Sequence, residues 1–346
     1  MDVLESSISP RRADLLARLA AERSFLLQQL EGLNEATLTH DPVFGGWTAA
    51  GLLALLAYGD ALTADWLAKL ADGRPGDIRA AGIVDGSLDS RNAEIQRRFA
   101  GLPFAQGVAM CQKERRGLLL ALQRLPDSTL QQRIYLDTGH RATPAHWVRR
   151  RQRHDAAHAA DLTRWRANYP PNAPSVRVIE RALLRPLLGL ARAEFLALAA
   201  LIPTNERETR PVEGGWSLKQ VLGHLSDYER LGVVALRQVA AGREPAYEQT
   251  IEDFEGFNAE RGPAWAALPW VEVWTHYIAT RRAMLEVTLA LDDAALARPF
   301  TAPWLTTTTP SGYLLDMAGH EQEHADALRH ALGWPALPRR LGRASG

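Results

Sequence analysis

The chain is nearly without cysteine. Its 346 residues contain one, Cys111, which excludes an internal disulfide and gives no sign of an oxidising compartment. Neither charge is in excess: 40 Lys+Arg face 40 Asp+Glu. A nucleic-acid partner held through its phosphates is therefore not expected, because such binders usually carry a basic surplus. Long apolar runs are missing too. The longest candidate, residues 182–203, is interrupted by Arg185, Pro186, Arg192 and Glu194 and reads as a helix of a globular domain, not a membrane span. The first residues, MDVLESSISPRRADLL, lack the apolar core of a secretory signal, so a cytoplasmic protein without membrane contact is expected. There is no Walker loop, no GxGxxG and no CxxC pair to support phosphate, dinucleotide or cluster chemistry. No convincing run alternates polar and apolar residues as strands do.

What is present is repetition. The length is too great for one compact core and suits two domains, and 46% apolar with 23% charged residues is ordinary for a globular protein. VFGGWTAAGLLALLAYGD is answered by VEGGWSLKQVLGHLSDYE, with Trp47 and Trp216 169 positions apart. Asn92-Ala93-Glu94 is answered by Asn258-Ala259-Glu260, and residues 143–162 by 309–328, both at a spacing of 166. Three matches in one order point to two copies of a single domain of roughly 165 residues. The expected domains are 1–168 and 176–346, joined by a Pro-rich linker at 169–175 that cannot continue a helix.

Each copy is expected to be all-α. Apolar residues recur at helical spacing in IERALLRPLLGLARAEFLALAALI, SLKQVLGHLSDYERLGVVALRQVA and WVEVWTHYIATRRAMLEVTLAL. Ser217 and Gln220 fit a capping box. Thr143-Pro144 and Thr309-Pro310 each set a cap hydroxyl before a proline at the first helical position. Four main helices per copy predict a four-helix bundle.

The histidines carry the chemical signal. His320 and His324 stand i,i+4 and so project from one helix face. Met317 and Leu328 share that face, which turns it inward. His224 lies mid-helix after Ser217, with Val221 and Tyr228 as neighbours on its own face. If the two helices are adjacent, three imidazoles converge. Three neutral nitrogens suit a divalent transition metal, with a fourth position left for water in a catalytic site. Such an ion lowers the pKa of a bound water or thiol and polarises a substrate oxygen. Spacing alone leaves the alternative of satisfied or surface histidines open.

Each copy resembles the DinB/YfiT-like family of bacterial four-helix bundles. The residues that carry the resemblance are Gly-Gly-Trp-Ser followed by His224, the Asn258-Ala259-Glu260 box, and Gly319-His320 with His324. It implies two tandem DinB-like bundles, with His224, His320 and His324 holding zinc, nickel or a similar ion. The wider superfamily includes isomerases and S-transferases that use a low-molecular-weight thiol, and resistance proteins that open strained rings. The implied function is a metal-dependent hydrolase or thiol-dependent transferase or isomerase acting on an electrophilic small molecule, in detoxification or isomerisation. The alternatives are a non-catalytic binding or resistance protein and a structural pseudo-dimer, since members of the family commonly pair.

The first copy departs from this pattern. Leu55 stands where the second has His224, so only His154 and His158 remain and a metal-free or weakly binding site is expected. His146 is two turns from His154, and His140 lies in a preceding loop. Other residues are weaker candidates. Asp227, one turn after His224, is a candidate general base or orienting carboxylate. Glu321 and Glu323 flank the histidines and can orient an imidazole, exposure being the other reading. The Asn258 box reads as a cap on the third helix or a pocket wall, and Trp216 and Trp304 as core filling. The run Arg149-Arg150-Arg151-Gln152-Arg153 reads as a solvated or interface face. Cys111 has no histidine at a recognisable spacing and is not expected to be a nucleophile.

Overall fold

The computed structural model describes residues 8–79, 88–135, 141–169 and 181–337. The chain divides into two compact units, one from Ile8 to Pro170 and the other from Pro171 onward. Of the expected linker only residue 169 is among the described residues; its remainder and His140 lie outside them.

The N-terminal unit runs α1 (Pro10–Gln28), α2 (Glu35–His40), β1 (Pro42–Phe44), β2 (Trp47–Thr48), α3 (Ala49–Ala71), α4 (Leu88–Arg98), α5 (Phe104–Arg124), β3 (Ile134–Tyr135), β4 (Arg141–Ala142) and α6 (Pro144–Arg166). The C-terminal unit runs α7 (Arg181–Ala199), β5 (Pro211–Glu213), β6 (Trp216–Ser217), α8 (Leu218–Ala240), α9 (Phe254–Ala267), α10 (Trp270–Ala290), α11 (Asp293–Leu296), β7 (Phe300–Thr301), β8 (Thr307–Thr308) and α12 (Pro310–Ala331). Four long helices make each unit an all-α bundle. In the first, α1 packs mainly on α6 and α3 on α5; in the second, α7 packs on α12 and α8 on α10. Among the described residues no helix is long and apolar enough to cross a membrane.

The helix starts follow the cap chemistry. Thr48 accepts from the Gly51 amide at 3.1 Å, and Ser217 forms the capping box with Gln220. Thr143 and Thr309 each cap a helix whose next residue is proline, satisfying one of the amides that every helix start leaves over. Leu19, Leu26, Leu53 and Leu118 have no exposed surface in the first core, nor do Phe195, Leu222, Met284 and Leu314 in the second. Burying each such side chain stabilises its bundle by about 1.5–3 kcal/mol before entropy is counted.

The strands are an addition to what the sequence led us to expect. Among the described residues each unit contains two two-stranded hairpins, too short for periodicity to register. The hairpin β5–β6 turns on Gly214 and Gly215, at φ +53° and +88°, and β1–β2 turns on Gly45 and Gly46, at +49° and +79°. Two successive left-handed residues make the tight hairpin whose twist matches its strands, and glycine reaches that conformation without a Cβ penalty. The turn brings Glu213 opposite Trp216, one residue before the cap of α8.

Each core also holds four ionised side chains, one from each long helix. In the N-terminal unit Arg23 lies 3.1 and 2.9 Å from Asp60 and Asp155, and Arg115 lies 2.9 and 2.6 Å from the same carboxylates. In the C-terminal unit Arg192 lies 2.9 and 2.5 Å from Glu229 and Glu321. Arg281 pairs with both, at 2.8 Å from Glu321. The Tyr277 hydroxyl donates to Glu321 at 2.7 Å, and the Arg192 guanidinium sits 3.5 Å from the centre of the Tyr277 ring. Cys111 is buried against Arg23 Nη1 at 2.6 Å. Burial pushes its thiol up to about 11, so it stays protonated and is a poor nucleophile.

Candidate functional site

The β5–β6 hairpin, α8 and α12 bring the three histidines together. From the Ser217 cap, α8 runs two turns to His224, whose ring is buried; α12 presents half-buried His320 and buried His324 one turn apart. His320 Nε2 lies 2.9 Å from His224 Nε2 and 3.0 Å from His324 Nε2. All three ligand atoms lie within 4.8 Å of one another. Nitrogens sharing a tetrahedral ion at bond lengths of about 2.0–2.1 Å stand about 3.3 Å apart, close to these separations.

The protonation of the rings favours a cation as well. The His324 Nδ1 lies 2.5 Å from Glu213 Oε2. A proton held there leaves the lone pair of Nε2 turned toward the other two rings. Burial, with His324 beside it, pushes the His224 imidazole down to about 3, so at neutral pH it is in the uncharged form that ligates metals. The His320 Nε2 has at most one proton to share between two neighbours, whereas an ion accepts a lone pair from all three. The residues fit a divalent transition metal.

Glu213 is the site residue that the sequence reading missed. Its carboxylate fixes the orientation and tautomer of His324, and losing such a contact typically weakens metal binding about 10–100-fold. Glu213→Gln is expected to weaken zinc binding by that factor while leaving the helical circular dichroism unchanged. A competition titration against a chromophoric chelator measures this, and an unchanged affinity would show that the carboxylate is idle.

The other sequence candidates fall out differently. Glu321 is fully buried and engaged by Arg192, Arg281 and Tyr277, so it does not orient an imidazole; a residue next to a ligand on a helix points about 100° away from it. Glu323 is exposed. Asp227 is buried, but Arg261 takes both its oxygens at 2.8 and 2.9 Å and Trp265 Nε1 donates at 2.6 Å. Both contacts come from α9, so the carboxylate fastens that helix to α8 and is not poised as a base. Trp265 lies so close over Gly223 that a Cβ there would fall 2.2 Å from its ring. Asn258 is no cap, because Asp253 caps α9. It lies inside the helix, its side-chain oxygen accepting from the Tyr228 hydroxyl at 3.4 Å.

Aromatic rings surround the histidines. Tyr228 packs 4.8 Å from His224 and 5.0 Å from His320, and Trp216 lies 5.2 Å from His224. Phe254, Phe257 and Trp304 stand beyond Tyr228 at 5.8–6.4 Å. Trp216 and Trp304 are only partly buried, so they border the site and do not fill a core.

Among the described residues the N-terminal unit has no such constellation. Leu55 stands seven residues after its cap Thr48, as His224 stands after Ser217, and Phe44 pairs with Trp47 as Glu213 pairs with Trp216. His154 and His158 remain, Nε2 to Nε2 at 3.1 Å, with His158 Nδ1 3.0 Å from Asp161. His146 is exposed at the start of α6.

Comparison with known proteins adds a family. Residues 187–328 match the model of the DinB superfamily. No curated protein matches. Among solved structures, the chain is similar to a histidine-to-alanine mutant of a mycothiol-dependent maleylpyruvate isomerase, at 18% identity and a TM-score of 0.35, over 52% of this chain and 68% of that one.

Proposed function

We propose that the C-terminal unit is a metal-dependent enzyme of the DinB superfamily in which His224, His320 and His324 hold one divalent transition ion, zinc, nickel or a similar metal. The observation that carries this reading is the meeting of three Nε2 atoms from two helices, with Glu213 behind one of them. An ion on three protein nitrogens keeps a position open, where it lowers the pKa of a water or a low-molecular-weight thiol and polarises a substrate oxygen. The reaction class is hydrolysis, or thiol-dependent transfer or isomerisation, of an electrophilic small molecule.

The chain's own residues do the rest. Glu213 holds the tautomer of His324. Asp227 is a positioning residue: its grip on Arg261 and Trp265 keeps α9, and with it Asn258 and Phe257, against α8. The aromatic rings around the histidines favour an apolar or flat substrate body and limit water beside the reacting atoms. The N-terminal unit, with Leu55 in the ligand position, takes no part in the metal chemistry.

Metal analysis of protein purified without chelator, from medium supplied with zinc, nickel and manganese, tests this reading. About one ion per chain is expected, lost in the His320→Ala variant. A chain that carries no ion under these conditions would instead be a binder of small molecules or a scaffold. Ligand-induced shifts in unfolding temperature across a panel of electrophiles separate those two.

A further inference from the structure

The N-terminal unit carries its own cluster of chemical groups. Arg151, His154 and His158 follow one another at steps of three and four on α6, so they share a face. Arg149, Arg150 and Arg153 are exposed, as expected of a basic run, but Arg151 is half-buried and crosses to α3. It lies against Gly59, where a Cβ would fall 1.7 Å from its Nη1. Gly59 stands eleven residues after the cap of its helix, the step at which the C-terminal unit has Tyr228. Without that ring there is room for a guanidinium.

Its charge is unmatched. Asp60 and Asp155 attract Arg151 through space, but each is already paired with both Arg23 and Arg115. Two carboxylates and two guanidiniums balance, and Arg151 is a third cation. It has no hydrogen bond or ion pair among the described residues. Burial lowers its pKa and, together with Arg151, pushes the neighbouring His154 down to about 3. His154 is therefore uncharged, and its Nδ1 is buried without a partner among the described residues. A half-buried guanidinium whose neighbouring carboxylates are already paired is under-compensated, and an anion from solution would relieve that.

We propose that Arg151, with His154 and His158, forms a site for a small oxyanion group, a carboxylate or a phosphate, in the N-terminal unit. The guanidinium offers parallel N–H donors that match two oxygens of either group, and the two histidine rings lie on the same helix face. The ring of Phe44, stacked on His158 at 5.1 Å, supplies an apolar contact alongside. The same cation repels a divalent metal, so the two units hold ligands of opposite charge.

Thermal unfolding of the intact chain, titrated with sodium benzoate or with inorganic phosphate at constant ionic strength set by chloride, tests this. At least one of the two anions is expected to raise the unfolding temperature saturably, and the one that saturates at lower concentration identifies the group. Arg151→Met is expected to abolish the shift, and Arg150→Met, its exposed neighbour, to keep it. Arg151→Lys retains the charge without the planar fork and is expected to bind about tenfold more weakly, which guards against a methionine variant that folds poorly. The proposal is overturned if neither anion exceeds the chloride control, or if the methionine variant responds like the wild type.

Discussion

Replacing His224 by leucine is expected to strip the ion from the C-terminal unit while leaving its bundle folded. The substitution installs what the N-terminal unit already has at the seventh residue after its helix cap, where Leu55 is buried in a stable core. Leucine is therefore compatible with this packing environment, and His224 itself is only 6% exposed. The loss concerns ligation. His320 and His324, one turn apart on α12, are left as a two-nitrogen site, and a two-nitrogen site gives up one of the bonds that a catalytic zinc normally takes from protein. The weakening should exceed the roughly 10–100-fold expected for Glu213→Gln, because a direct ligand is lost instead of the group that orients one. Metal analysis and zinc competition on the folded variant decide the matter. Retention of about one ion per chain by His224→Leu would place the metal elsewhere and remove the basis of the proposed chemistry.

The contrast between the two units shows what was legible in the sequence. His224, His320 and His324 could be found because helical spacing puts i,i+4 residues on one face and because a cap residue dates the start of α8. The helices themselves declared their periodicity and their caps. Glu213 could not be found that way. It reaches His324 across 111 positions from a strand of three residues, and neither helix periodicity nor local spacing encodes that contact. The Gly-Gly pair before Trp216 was the available signal, since two adjacent glycines before a capped helix mark a tight hairpin.

The ionised core layer was missed for a different reason. A buried charge breaks the apolar pattern of its own helix, so Arg192 or Glu229 taken singly reads as surface. The signal lay in the comparison of the copies. Arg23 and Arg192, and Asp60 and Glu229, are 169 apart; Arg115 and Arg281, and Asp155 and Glu321, are 166 apart. These are the same offsets as the tryptophan and histidine matches, and four charges kept at them belong together in space. That layer also explains why Glu321, beside a metal-ligand candidate, serves the core and not the imidazole.

Breaking this layer is expected to be the most destabilising change in the C-terminal unit. In Arg281→Met two carboxylates, 2% and 0% exposed, are left with Arg192 as the one arginine of the layer. Removing one partner of a buried ion pair typically costs about 3–5 kcal/mol, because the remaining charge is uncompensated. In a unit of this size, that corresponds to a fall of about 6–20 °C in the unfolding temperature of the C-terminal transition. The pH dependence identifies the cause. Burial by itself raises the pKa of the Glu229 carboxyl, but in the wild type Arg281 and Arg192 outweigh it and hold the group below its ordinary value. The layer's contribution is then present above the unfolded carboxylate pKa of about 4.3 and is lost as pH falls through the lower folded value. In the variant the balance reverses and burial raises the folded pKa above the unfolded one. The defect should therefore be small near pH 4–5, where Glu229 takes up a proton, and grow toward pH 7–8 as the group is forced to ionise. Replacing Arg281 and Glu229 together by Met and Leu removes one charge of each sign and should recover much of the loss. A penalty for Arg281→Met that is the same at pH 5 and pH 8, or a double variant no more stable than the single one, would show that the arginine acts through packing and not through charge.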